Sequence, residues 1–574
     1  MSTADITKVS TFDPRIVQVV PKYAVEKGAL SITNVSVAAQ TTSNSSVQWN
    51  IQVPSENVFI DRAVDLVATQ YGRIDVLVSV AAGANILAGT SLAGLIGPAA
   101  FPIQQSVTQS SATINDTTVT MNTQDVLPQI LRLSDMEVAR MQRTCPTMLD
   151  RYALYPDTNV VQNSPLSLYG NAFSPGQVPN GAFNGFQYTT AAGVVPASGT
   201  VVGEYTIVNG QPTLTSQLSG GAGGNSRTIT LYVTWTSTEK LLLPPFIFTG
   251  QEELSTGLFG VQNFQVQLNI APENQARSLR ATRATTLPTS VANVFGTASC
   301  TGKAFSWGPS SGTFSGQVFG PNQPRLLVQF LTPSLDIPLP PKSIVPWMEM
   351  PRYISQALAA PDSAQIIYNV NPGTASQLQS ITTTLPNIPD LMMIFVKPTS
   401  YPDATNGDWT LPIQNISLNF DNFSGLLANH SQYQLYKMSV DNGLDMDWNQ
   451  WSGQVSAPPS GAIAAAGAPA FGGVVGSAGG ALVLRPGRDF ALQAGQAPGL
   501  VGNFTVQFNL NVQNNTGFAG NVNIYLLPIS SGFFETIKGS SRIIKGVLTE
   551  QDILSAPMML APASTDRVVG GKMT

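Results

Sequence analysis

Two eight-residue segments constrain this chain more than any other feature. Asn263–Ile270 reads NFQVQLNI and Asn503–Leu510 reads NFTVQFNL, with five identical positions and two apolar exchanges. Their alternation puts Phe264, Val266, Leu268 and Ile270 on one face of a strand and Gln265, Gln267 and Asn269 on the other. Each follows a Gly-containing approach, Gly257-Leu258-Phe259-Gly260 and Gly499-Leu500-Val501-Gly502. A half-buried strand occurring twice, with the same lead-in, points to a duplicated β domain. The repeat is marked by Asn263 and Phe264 in the first copy and Asn503 and Phe504 in the second.

A second match precedes this one in both halves. Thr120-Met121-Asn122 set against Ser417-Leu418-Asn419 keeps register without a gap up to a pair of helix starts. Ser134 meets Ser431 and Glu137 meets Gln434, so each half carries a capping box, in which two side chains satisfy orphan amides reciprocally. Met141 and Met438 then fall at the same position on an apolar face. Cys145-Pro146 and Asn442-Gly443 supply the stops. The reading is one short helix per half, between strands.

The rest of the chain is strand-like. Thr228–Trp235, Arg325–Leu331, Leu391–Val396 and Asn521–Leu527 are β-branched and aromatic. At 574 residues the chain exceeds one ordinary domain. Its charged fraction is 11%, well under the roughly 25% of average soluble proteins, which excludes coiled coils and charge-driven disorder. The spacing between the two matched motifs is longer in the first half. Thr158–Ser226 accounts for the excess: its only charged residue is Glu204, and it is dense in Gly, Pro, Asn and Ser. It reads as a long loop insertion at one end of the first domain, exposed on the outer face of an assembly. Prolines at 333, 338, 340 and 341 mark the junction.

The fold expected is therefore all-β: two tandem eight-stranded jelly-roll β-barrels, each with one short helix, with long loop insertions. The boundaries expected are an N-terminal arm at 1–30, a first barrel at 31–335 with its insertion at about 158–226, a connector at 336–344, a second barrel at 345–549 and a tail at 550–574.

Chemistry is sparse. His430 is the sole histidine, which rules out metal sites built from several histidines and leaves one centre for a His-based triad. It reads as a helix-entry residue. Cys145 and Cys300 have no CxxC spacing and read as core thiols in a reducing compartment. Asp441-Asn442-Gly443-Leu444-Asp445-Met446-Asp447 alternates carboxylates but lacks the EF-hand pattern. It reads as a helix C-cap followed by a strand with one acidic face. The Gly-rich runs lack P-loop residues. No carboxylate pair stands out among 33 acids, so no catalytic residue, cofactor or metal site is assigned and a non-enzyme is expected. The start Met1–Asp5 shows no signal-peptide pattern. The uncharged stretches Val76–Phe101 and Ala462–Leu484 are interrupted by polar residues and read as buried loops and strands rather than membrane spans.

Several segments carry a family resemblance: Pro244–Phe248 with Gly257–Ile270, Arg325–Pro333, Ile413–Met438, Trp448–Gly453 and Leu482–Asn511. Together they resemble the double jelly-roll major capsid proteins of polinton-like and adintovirus-like DNA viruses, in the hexon-type lineage, and more distantly those of virophages. The resemblance implies a homotrimeric, pseudo-hexagonal capsomer that tiles an icosahedral shell around DNA. It also implies a separate penton protein and minor capsid proteins as partners. A net charge of −5 and a diluted set of N-terminal cations suit enclosure of DNA rather than sequence readout. The competing reading is a β-sandwich carbohydrate-binding or adhesin-type protein, with Trp448 and Trp451, or Phe186 and Tyr188, as its aromatic platform.

Overall fold

The computed structural model describes residues 29–134, 187–246, 257–281, 295–306, 323–356, 368–399, 408–456, 474–546 and 548–555, short gaps within them aside, with Leu149, Asp150 and Ala153. Eight strands frame the first domain: β1 Ala29–Ala38, β2 Ser46–Gln52, β3 Asp65–Val80, β4 Val107–Ile114, β5 Thr117–Met121, β6 Asn225–Lys240, β7 Asn263–Ile270 and β8 Arg325–Pro333. They pair antiparallel in two sheets, β1-β8-β3-β6 and β2-β7-β4-β5, with shorter strands added at the margins. This order is the jelly roll.

The second domain repeats it. Its strands are β9 Ser343–Glu349, β10 in two stretches (Ala375–Gln379 and Thr383–Asn387), β11 Leu391–Pro398, β12 Ile413–Phe420, β13 Phe423–Leu426, β14 Leu482–Leu484, β15 Val501–Gln513 and β16 Gly520–Ile537. The sheets are β9-β16-β11-β14 and β10-β15-β12-β13, the same wiring shifted by eight strands. A further strand, β17 Ser540–Lys545, folds back on β16 as a hairpin. β9 opens inside the stretch expected to be connector.

The alternation in sequence is the reason for these strands. Phe264, Val266, Leu268 and Ile270 on β7 point into the barrel, as do Phe504, Val506, Phe508 and Leu510 on β15, all 6% exposed or less. They meet Val47, Trp49 and Ile51 of β2 in one barrel, and Ile416, Leu418 and Phe420 of β12 in the other. Apolar burial on this scale drives the fold, at about 25 cal/mol per Å². Buried indoles still need partners: Trp49 Nε1 donates to Pro324 O at 3.2 Å and Trp235 Nε1 to Gln70 Oε1 at 2.9 Å.

β7 and β15 occupy the same place in their sheets, but the other sequence match slips. Leu268 lies opposite Ser110 and Phe508 opposite Leu418, so Ser110 and Leu418 correspond. Ser110 pairs with Met121 and Leu418 with Leu426. Thr120 and Met121 therefore lie on β5, whereas Ser417–Asn419 lie on β12, the other arm of the equivalent hairpin. Two adjacent arms with similar alternation cannot be told apart by a gapless comparison.

The helices also outnumber the single one expected per domain. In the first domain α1 Pro102–Ser106 and α2 Thr123–Ile130 are both buried. α1 has Pro at its start, and the Glu239 carboxylate accepts the Ile103 and Gln104 amides at 2.7 and 3.0 Å. In the second domain α3 Gln432–Asp441 opens on the Ser431/Gln434 capping box and α4 Trp448–Trp451 on Asp447. Glu137 and Met141 lie outside the described residues, and so does the helix expected after Ser134.

In both domains the long connection joins the fifth strand to the sixth. The described part of the insertion forms a three-stranded meander, Val201–Val202, Tyr205–Val208 and Gln211–Leu214, over buried Tyr205, Ile207 and Leu214. It lies past the end of the β3–β6 ribbon, where Asn225 pairs with Val80.

Candidate functional site

The described polar chemistry concentrates on the seam between the two barrels, where two sets of contacts hold them. The first is built by the β16–β17 turn. Lys538 and Gly539 take left-handed φ values of 31° and 85°, which tightens the hairpin into a two-residue turn that Gly tolerates best. A side chain at Gly539 would lie 2.7 Å from the Gln262 side chain, and one at Gly260 would lie 2.8 Å from the Lys538 amide. Backbone thus approaches backbone, and the Gly539 N–H donates to Gly260 O at 2.8 Å.

Around it, the β4–β5 turn of the first domain receives the hairpin. Asp116 accepts from the Ser541 amide at 2.7 Å and from the Ser540 hydroxyl at 3.0 Å. Thr117 Oγ1 donates to Ser541 O at 2.6 Å, and Asn115 Nδ2 to Ser541 Oγ at 3.0 Å. The Thr536 hydroxyl reaches the Phe259 carbonyl. The Ser541 amide, then the Ser540 hydroxyl, hold the Asp116 carboxyl below its ordinary range.

The second set is a buried ionic cluster. Asp408 Oδ1 lies 3.0 Å from Lys397 Nζ and 3.3 Å from Arg277 NH2. The Arg132 guanidinium donates to the carbonyls of Asp150 at 3.0 Å and Asp408 at 3.4 Å, and the Asp408 amide donates to Asp150 Oδ2 at 2.6 Å. Arg132, Asp150 and Arg277 come from the first domain, Lys397 and Asp408 from the second, and all five are buried. Burial pushes the Lys397 amine down to about 8; Asp408 opposes that shift, and the Arg277 and Arg132 charges add to it. Backbone stitches run alongside. Ser134 N–H donates to Gly443 O at 2.7 Å, Asp445 N–H to Arg132 O at 2.7 Å, and Leu133 bridges Leu444. Asp125, on α2, pairs with Arg352.

The residues singled out in sequence divide accordingly. Ser134 sits on the seam beside Gly443, and Ser431, Gln434 and Met438 belong to α3, which the seam meets only past its C-terminal end. Asn263, Phe264, Asn503 and Phe504 open the two central strands. His430 leads into α3, as expected. The carboxylate run 441–447 is corrected. Asn442 and Gly443 close α3, but no strand succeeds them: the Leu444 bridge comes next and Asp447 then caps α4, because Asp447 Oδ1 accepts the Gln450 amide at 2.8 Å. Among the described residues no group of three His, Cys, Asp or Glu side chains could hold a metal ion, and no helix is long and apolar enough to cross a membrane. Trp451 is fully buried with Nε1 on Ala481 O at 3.0 Å, and Tyr188 is buried too, so neither is a sugar platform. Cys145 and Phe186 lie outside the described residues.

Sequence reasoning missed the ionic cluster. One signal was available: Lys397 ends the otherwise apolar strand LMMIFVKP, and Arg132 stands between Leu131 and Leu133. A charge inside such a run needs a buried partner.

Two jelly rolls of one wiring, locked across a polar seam, define a double jelly-roll protein. Residues 4–331 match the Sputnik virophage major capsid protein 1st domain, and residues 351–532 match the Major capsid protein V20 C-terminal domain. The chain belongs to the Sputnik virophage major capsid protein family. It is 23% identical over 549 residues to the putative capsid protein V20 of Sputnik virophage, covering 93% of this chain and 78% of that protein. The fold is similar to that of a chain in the Sputnik virophage structure, with a TM-score of 0.69, 21% identity and 98% of each chain covered. It is also similar to the mavirus major capsid protein, with a TM-score of 0.66, 14% identity, and 98% and 100% of the two chains covered. The protein is a major capsid protein and its place is the virion capsid. The sequence resemblance thus narrows to the virophage branch of the lineage.

Proposed function

We propose that the chain assembles as a homotrimer whose six barrels form a pseudo-hexagonal tile, and that these tiles build an icosahedral shell around DNA. The observation that carries this is the pairing of two equally wired barrels in one locked unit. Three such units about a threefold axis present six similar edges, so one tile meets its neighbours in nearly equivalent ways. The low charge fraction of 11% supports broad side-to-side burial, of the roughly 2,000 Å² or more that obligate interfaces use. Trimer–trimer contacts are weaker and reversible, which lets assembly errors be corrected.

The same reading extends to partners and organisation. A penton protein and minor capsid proteins complete the shell, DNA is enclosed without sequence readout, and the chain performs no catalysis. The first barrel runs from β1 to about residue 335 and the second from β9 to about residue 549, and Asn263, Phe264, Asn503 and Phe504, on equivalent strands, are relics of one duplicated domain. Light scattering and electron microscopy of the purified protein at micromolar concentration test the central claim. Trimers or size-defined particles are expected, and a folded monomer that never associates would overturn it.

A further inference from the structure

An open sheet ends in edge strands whose outer N–H and C=O groups can capture another chain, so folded proteins blunt them. Most edges of this molecule are blunted. In the first domain β6 is flanked by the two-residue strand Gln187–Tyr188 and β2 by Thr41–Thr42, and β5 meets β17, where Thr117 Oγ1 donates to Ser541 O. In the second, β10 is interrupted between its two stretches, and β13 has four residues, Gly425 among them. β14 has three, and α3 occupies its edge: Ser439 Oγ accepts the Val483 amide at 3.1 Å and Asn442 Nδ2 donates to Val483 O at 3.0 Å. β9 carries Pro346 in mid-strand, between Lys342 and Glu349.

β1 is the exception. It runs ten residues, ALSITNVSVA, without a charge, proline or glycine, and its one register shift falls at its start, between Ala29 and Ser31. Among the described residues it pairs with β8 alone. Successive side chains of a strand point to opposite faces, yet Ser31, Ile32, Thr33 and Asn34 are all exposed, Ile32 at 56%. Both faces and the outer edge are therefore open at this end. Left bare, a long uncharged strand of this kind is a template for aggregation.

The chain carries a matching segment beside it. Residues 1–28 precede β1 and lie outside the described residues; within them Pro14–Pro21 reads PRIVQVVP. Ile16–Val20 is uncharged, four of its five residues are β-branched, and a proline bounds it on either side, which is the pattern of a short strand. Ten residues lie between Val20 and Ser31, Gly28 among them, enough for the chain to reverse direction. Lys22, Glu26 and Lys27 fall in that stretch, where a solvent-facing loop accepts charge. We infer that Ile16–Val20 adds to the outer edge of β1 as an antiparallel strand of the same chain, opposite Ser31–Val35. The occupant is the chain's own arm rather than a second copy, because so short a tether holds it at a roughly millimolar effective concentration, well above that of any free partner in a micromolar solution. The arm extends the β1-β8-β3-β6 sheet and shields the strand most able to join chains out of order. This pairing forms in a lone chain as it does in a trimer.

The test uses the full chain and reads hydrogen–deuterium exchange of β1 peptides by mass spectrometry. In a bare edge strand alternate amides point away from the sheet and exchange fast. With the arm in place nearly all β1 amides are expected to be slow. Val17→Pro with Gln18→Pro removes a donor of either register from the arm, and should return about half of the β1 amides to fast exchange while β7 peptides stay unchanged. In parallel, a photo-crosslinking benzoylphenylalanine at position 18 is expected to join β1 of its own chain, leaving a single-chain band on a denaturing gel. Outward β1 amides that are fast in the unaltered chain, or equally slow in the proline variant, would overturn the inference. So would crosslinks that run between chains or miss β1. If the proline variant does not fold, the exchange of the unaltered chain and the crosslink position decide.

Discussion

The two barrels share a wiring and differ in what their equivalent edges meet. In the first, the hairpin turn at Asn115–Asp116 and the helix after it are covered; in the second, Asn422 and much of α3 are exposed, and it is the residues just past α3, Gly443 and Leu444, that reach the seam. Duplication supplies the same edge twice, but a chain with two domains can cover only one of them. Equal topology therefore does not mean equal surface, and the function of an assembling protein lies in that inequality.

The sharpest way to break this comparison is at the ionic seam, which has no counterpart among the described residues of the outward edge. Asp408→Ala takes from Arg277 and Lys397 the carboxylate oxygen they share, leaving buried positive charge behind. A loss of about 3–5 kcal/mol in unfolding free energy is expected, read as a drop in the denaturant midpoint; an unchanged midpoint would mean that the seam does not bind the barrels together. The next effect should be equal on both sides. Ile270→Ala and Leu510→Ala remove buried side chains from the same position of the two central strands, at about 2–5 kcal/mol each. If one proves far costlier, the barrels are not energetic equivalents.

A third difference is set by pH. Glu239, fully buried under α1 of the first barrel, is pushed up to about 7 by that burial. The folded state holds its proton more tightly than the unfolded chain does, so stability falls as pH rises from about 4.5 to about 7. The span corresponds to about 3 kcal/mol, and Glu239→Gln should flatten the profile in thermal unfolding across that window. Asp116 acts in the opposite direction. Its lowered pKa means that its contribution is present above the unfolded value and is lost as pH falls through the folded one. The smallest effect is expected at the outward turn, where Asn422→Ala should change the isolated chain by less than about 0.5 kcal/mol.

How far the sequence could be read depends on these same elements. The strands β7 and β15 were legible because one face of each is buried, and a period of two is then written directly into residue type. The capping box at Ser431 was legible because capping is local. The hairpin arms were confused because β4 and β5, like β12 and β13, carry the same alternation a few residues apart. The seam was illegible because Arg132, Asp150, Arg277, Lys397 and Asp408 are far apart in the chain and no spacing rule links them. Only the oddity of a charge in an apolar run hinted at it. α1 escaped notice because its amides are capped by Glu239, which lies far along the chain.

The hairpin clasp lies at the β4–β5 turn and the ionic cluster beyond α2, so β5, a strand of five residues and hence roughly 17 Å, and the eight residues of α2 separate them along the chain. A body pinned at one point can swivel about it; pinned at two separated points, it resists torsion. Among the described residues the two barrels are held at two places along this line. A shell curved from such units must take up its curvature between chains, leaving each chain to behave as a stiff brick.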